Sequence, residues 1–189
     1  MLYLLPLSQT VELQSALNLD EIVVFQSTLL NTSSDVSYTA LNLLNAAGDY
    51  LLHISVRPSE NVIVFNSRTA SGGWGPEERV SFTDAFPDGV KEPTIVVYDR
   101  GDSYRIRLGP GGITVNYAKR LSGDIAKLSY TVSGDISAFS NPVVVNTYTL
   151  DNVLLLSSPA FLRCVTMHAM EPSDGEHALQ GLIGVRGST

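Results

Sequence analysis

Residues 51–79 read LLHISVRPSENVIVFNSRTASGGWGPEER, and this stretch holds the residue types that could do chemistry. Side chains alternate along a strand. In LLHISVR, Leu52, Ile54 and Val56 therefore share one face, and His53, Ser55 and Arg57 share the other. The apolar set is expected to face a core, the polar set to form a row of hydrogen-bonding groups on an exposed sheet face. Pro58-Ser59-Glu60 turns the chain into a second strand, NVIVFNSR. There Ile63 and Phe65 have one parity, Val64 and Asn66 the other; with Phe65 inward, Asn66 joins His53 and Arg57. A glycine-rich turn, Ser71-Gly72-Gly73, leads into Trp74, and Glu77 and Arg79 then share a parity. That composition suits a sugar. A pyranose offers hydroxyls that need donors and acceptors, and an apolar C–H patch that a flat aromatic covers. Arginine is a fixed fork of donors and a carboxylate is an acceptor. A pair between Glu77 and either Arg57 or Arg79 would fix these groups before a ligand arrives and so lower the ordering cost.

The elements around this stretch have a period of two. EPTIVVY at 92–98, SYRIRL at 103–108, ITVNYA at 113–118, KLSYTV at 127–132 and VVVNTY at 143–148 are rich in β-branched and aromatic residues. Turn residues separate them, as in Asp99-Arg100-Gly101-Asp102 and Gly109-Pro110-Gly111-Gly112. EIVVFQSTLL and YTALNLL read as earlier strands, and MLYLLPLSQTVELQ as a first strand rather than a signal peptide, because it lacks a basic start. Short strands at this spacing predict an all-β antiparallel sandwich of two sheets. No segment before residue 150 has helical periodicity. Beyond Tyr148 the rhythm is lost. The boundaries are set at 1–149 for a domain and 150–189 for an extension, with a short helix expected over 159–170 capped by Ser157 or Ser158.

The spacing of the site residues resembles the galectins: His-x-Asn-x-Arg, then Val-x-Asn, then Trp-Gly-x-Glu-x-Arg. His53, Ser55 and Arg57 occupy the first element, Val64 and Asn66 the second, and Trp74, Gly75, Glu77 and Arg79 the third. HISVRP, ENVIVFNSR and WGPEER look most like the mushroom galectins. The resemblance implies a concanavalin-type jelly roll and a non-catalytic lectin for β-galactosides such as lactose or N-acetyllactosamine. It implies that His53 and Arg57 bind the axial O4 of galactose and that Asn66 and Glu77 bind O6. Arg57 and Glu77 would also reach O3 of the next sugar, Trp74 would stack under the ring, Arg79 would orient Glu77 and Val64 would form an apolar wall. Ser55 stands where the family usually has Asn; being shorter, it would reach a hydroxyl through water. The resemblance also implies homo-oligomers, tetramers among them. An extracellular or cell-wall location reached without a signal peptide, with a cytoplasmic pool, and a defensive role follow from it too.

Composition bounds the alternatives. The 189 residues are 44% hydrophobic and 16% charged, which fits a folded domain. Twelve basic against nineteen acidic residues leave a net charge of −7, the wrong sign for phosphate backbones or anionic lipid. No apolar run is long enough for a membrane helix. Cys164 is the only cysteine, so no intrachain disulfide forms. Cys164, His168 and His177 fall short of a structural zinc set, so no metal or cofactor is expected. A glycosidase needs two carboxylates across the scissile bond, and this face offers only Glu77; Glu78 has the opposite parity and Glu60 reads as a solvated charge. The remaining alternatives are a chitooligosaccharide-binding relative, which the presence of Trp74 argues against, and a protein-interaction sandwich using Val143-Val144-Val145 and the extension.

Overall fold

The computed structural model describes residues 1–149; the extension 150–189, with its expected helix and with Cys164, His168 and His177, lies outside the described residues. In chain order the strands are β1 (Leu2–Leu5), β2 (Gln9–Leu17), β3 (Ile22–Gln26), β4 (Thr39–Leu44), β5 (Tyr50–Arg57) and β6 (Val62–Arg68). They continue with β7 (Glu78–Ser81), β8 (Thr94–Asp99), β9 (Ser103–Leu108), β10 (Thr114–Ala118), β11 (Ile125–Val132) and β12 (Val143–Tyr148). One sheet has the order β1-β12-β3-β8-β9-β10 and the other β2-β11-β4-β5-β6-β7. Every strand pair is antiparallel. The predicted two-sheet sandwich is therefore the observed fold.

The core lies between the inner faces. Phe25, Ile95, Val97, Ile106, Leu108 and Val145 come from the first sheet; Leu41, Leu43, Leu52, Ile54, Val56, Ile63, Phe65 and Leu128 come from the second. In β8, β9 and β12 buried and half-buried residues alternate without a break, the pattern of a sheet with one face in the core. β4 and β6 differ: nearly every residue on both faces is buried. The polar face of the second sheet is thus not an open, solvated row, as its alternation alone suggests. Its side chains pack on one another.

Three local readings change. The segment expected as one first strand is two, β1 in one sheet and β2 in the other. Pro6 has no N–H to continue a ladder, and Ser8 takes a positive φ of 60° with its N–H on Tyr130 O at 2.8 Å, so the chain crosses between sheets there. The strand expected to run to Leu30 stops at Gln26. The Ser27 hydroxyl donates to Leu29 O at 2.6 Å and so closes a local turn that competes with pairing. A single helical turn, Phe82–Ala85, follows β7, with Asp84 N donating to Ser81 Oγ at 3.3 Å. It is too short for periodicity to announce it.

Candidate functional site

Antiparallel register converts sequence spacing into rows across the outer face of the second sheet. Asn42, His53 and Asn66 lie side by side on β4, β5 and β6. One step along, Ala40, Ser55, Val64 and Arg79 form a second row that reaches β7. Arg57 lies beyond it, and Tyr50 opposite Arg68 closes the other end. Trp74 and Glu77 come from the connection between β6 and β7. His53, Ser55, Arg57, Val64, Asn66, Trp74, Glu77 and Arg79 are thereby brought to one face.

The charged centre is a carboxylate held from both sides. Arg57 Nη2 donates to Glu77 Oε1 at 3.0 Å, and Arg79 Nε donates to Oε2 at 2.8 Å, with Arg79 Nη2 on the same oxygen. Both pairs left open by the sequence therefore form. Partial desolvation works against ionisation of Glu77, but the two guanidinium groups outweigh it and keep the carboxyl below its usual range. Arg57 itself lies over the Tyr38 ring, 4.5 Å from its centroid, with Glu60 Oε2 3.7 Å from Nη1. These contacts fix the fork before any ligand arrives.

The neighbouring row is neutral. His53 Nδ1 lies 2.6 Å from Asn42 Oδ1. Burial first, then the positive charges of Arg57 and Arg68, push the imidazole down to about 4; Glu77 opposes them weakly. His53 is therefore uncharged at neutral pH. Asn66 donates through Nδ2 to Gly75 O at 2.8 Å. Its Oδ1 already accepts from Ser67 N at 2.8 Å and Arg120 Nη1 at 3.1 Å. An amide has two N–H donors, so one remains for a ligand. Gly75 gives this approach its room, because a Cβ would stand 3.0 Å from Arg120 Nη1 and 3.3 Å from Asn66 Oδ1, and both side chains would have to give by a few tenths of an ångström.

Trp74 is 46% exposed, although most aromatic side chains among the described residues are buried. Its ring centroid is 4.4 Å from that of His53 and 5.4 Å from that of Tyr50, and the Arg68 guanidinium carbon lies 4.7 Å from it. A flat apolar surface thus stands next to a wall of fixed donors and acceptors. Two of the eight residues lie deepest. Ser55 is buried, and its hydroxyl accepts from Arg57 Nε at 3.3 Å, which gives it a hold on Arg57. Val64 is fully buried between Ser55 and Arg79 in the same row.

Asn42, Tyr38, Tyr50, Arg68 and Arg120 were not anticipated. Asn42 is a polar residue inside the apolar run YTALNLL, which is the one signal that could have marked it. Arg120 also donates to Pro76 O at 2.6 Å and to Glu78 Oε1 at 2.7 Å. Glu78 lies opposite Phe65 and is paired with Arg120, and Glu60 faces Arg57. A concavity of about 480 Å³, ringed by Leu30, Pro58, Phe82, Phe86 and Val90 among others, contains none of the eight site residues. The eight residues lie on the outer sheet face, and a second, smaller concavity lined by Gln26, Glu92 and Val144 among others contains none of them either.

A family model for galactoside-binding lectins matches residues 8–138. The chain is 39% identical over 150 residues to Galectin-2 of Coprinopsis cinerea, covering 79% of this chain and 95% of that protein. It is 36% identical over 152 residues to the "Anti-tumor lectin" of Cyclocybe aegerita, covering 78% and 96%. Among solved structures, a galectin of Caenorhabditis elegans superposes with a TM-score of 0.59 at 18% identity, covering 78% of this chain and 96% of that one. A tetrameric galectin from the sponge Cinachyrella superposes with a TM-score of 0.53 at 25% identity, covering 75% and 95%.

Proposed function

The chain belongs to the galactoside-binding lectin family, the galectins, alongside the mushroom members it resembles, and from that premise we propose a lectin whose preferred ligands are lactose-type β-galactosides. The observation that carries the proposal is the Arg57–Glu77–Arg79 array next to the exposed Trp74 and the neutral His53. The indole covers the C–H face of galactose. His53 and Arg57 bracket the axial O4, which glucose does not present there. The free N–H of Asn66 and the carboxylate of Glu77 take O6, and Arg57 with Glu77 extends to O3 of the adjoining sugar.

The same geometry favours binding over hydrolysis. A general acid must carry a proton near neutral pH, whereas Glu77 is held ionised by two guanidinium groups. The face is shallow, so one site should bind with a Kd between millimolar and micromolar, about −4 to −8 kcal/mol. Glycoconjugate binding of useful strength then comes from several sites acting together, which requires a homo-oligomer. The biological reading is a multivalent extracellular or cell-wall lectin acting in defence.

Passage over immobilised lactose tests the central part. Retention released by free lactose and not by cellobiose is the expected result. Equal release by both sugars, or no retention, would overturn the galactoside assignment. Agglutination of desialylated erythrocytes, blocked by lactose, tests the multivalent part separately.

A further inference from the structure

We propose that Asn42 sets the proton position of His53, so that His53 meets the ligand as a hydrogen-bond acceptor through Nε2. The argument starts behind the site, on β11. Asn42 is fully buried, and its Nδ2 lies 2.9 Å from Ser129 Oγ and 3.5 Å from the Ser129 carbonyl oxygen. Thr131 Oγ1 is also 3.5 Å away. A carbonyl oxygen can only accept, so the amide must turn its NH2 toward it. Flipping the amide could keep a bond to the Ser129 hydroxyl, but it would turn Oδ1 toward the Ser129 carbonyl oxygen and leave that acceptor without the NH2 group that now faces it. Oδ1 of Asn42 must therefore face β5.

There it lies 2.6 Å from His53 Nδ1. The oxygen has no proton to give, so Nδ1 holds the proton, and in a neutral ring Nε2 then carries the lone pair. The chain Ser129, Asn42, His53 runs across β11, β4 and β5 within one register row. It selects the tautomer in the way a carboxylate or carbonyl orients a metal-bound histidine.

The consequence rests on the galactoside reading. An oxygen placed between His53 and Arg57 must give a hydrogen to the first and accept one from the second. A hydroxyl does both; an ether oxygen or a carboxylate does not. Asn42 is thus a positioning residue for hydroxyl recognition that itself touches no sugar.

The test is read without sugar. Two-bond ¹H–¹⁵N correlations of ring-labelled protein report which nitrogen carries the proton, with His53 assigned by its loss in His53→Gln. The wild type is expected to show a single Nδ1–H tautomer. Asn42→Leu, which keeps neither the oxygen nor the NH2 group, should show a mixture. Lactose affinity should fall roughly tenfold in Asn42→Leu. A proton on Nε2 in the wild type, or an unchanged ring in Asn42→Leu, overturns the proposal. Should Asn42→Leu fail to fold, Asn42→Ala is read by the same criteria. If the tautomer behaves as stated but the wild type binds no lactose, Asn42 keeps its hold on His53 and the galactoside reading fails alone.

Discussion

Glu77 does the most at the level of single residues, since its two oxygens are shared between Arg57 and Arg79. Glu77→Gln keeps the shape but halves the acceptor capacity and removes the charge. Lactose binding measured by calorimetry should weaken by about 1.5–3 kcal/mol, with little change in unfolding temperature. Equal losses of affinity and stability would mean that the residue is structural. His53 makes a second prediction. Its folded value of about 4 lies below the ordinary 6.5, so the unfolded chain takes up the proton first. Its neutral form is therefore favourable above about pH 6.5. As pH falls toward 4 the fold loses stability, about 3 kcal/mol in all, and galactoside affinity fades once the folded ring itself protonates near 4. Urea unfolding between pH 7 and 5 should show this slope reduced in His53→Gln. Parallel slopes for the two proteins would contradict it.

At the scale of elements, β5, β6 and the connection to β7 act as one positioning unit. Gly75 lets that connection approach Asn66 and Arg120 closely. Gly75→Ala should push the two apart and cost lactose affinity several-fold, with a smaller effect on melting, read by calorimetry and thermal scans. An unchanged affinity would show that the free N–H of Asn66 is not used. The alternation in LLHISVR and NVIVFNSR was enough to put His53, Arg57 and Asn66 on one face and Leu52, Ile54 and Phe65 in the core. What it could not show was depth. Ser55 and Val64 have the right parity, yet packing by neighbouring strands buries them. Arg120 is 54 residues from the Asn66 it braces, and Asn42 works through Ser129, 87 residues away; such partners are chosen by tertiary register, which a local pattern does not encode. The split of the first strand failed for a similar reason. Pro6 and Ser8 redirect the chain to the other sheet, and only the destination makes that visible.

Across the whole molecule, the site occupies the outer face of one sheet while other polar pairs hold the rest together. Asp99 is 1% exposed and receives Lys119 Nζ at 2.6 and 2.7 Å, with Gly101 N on Oδ1 at 2.8 Å and the Tyr104 ring beneath the ammonium. Removing one partner leaves a buried charge alone. Lys119→Ala should therefore lower unfolding free energy by about 3–5 kcal/mol while lactose affinity stays within two-fold at a temperature where the variant is folded. Denaturant unfolding and calorimetry on the same variant check both halves, and a matching loss of affinity would show that the two regions are coupled.

Trp74 is the single tryptophan, so its emission reports on one place. Titrating lactose into the full chain, with cellobiose as the control and calorimetry alongside, is the most direct test of the galactoside reading. The two sugars differ in the configuration of O4 on the non-reducing ring. A saturable change with lactose alone, abolished in Arg57→Ala, is the predicted result. Silence toward lactose in both fluorescence and calorimetry, or equal responses to lactose and cellobiose, would contradict it.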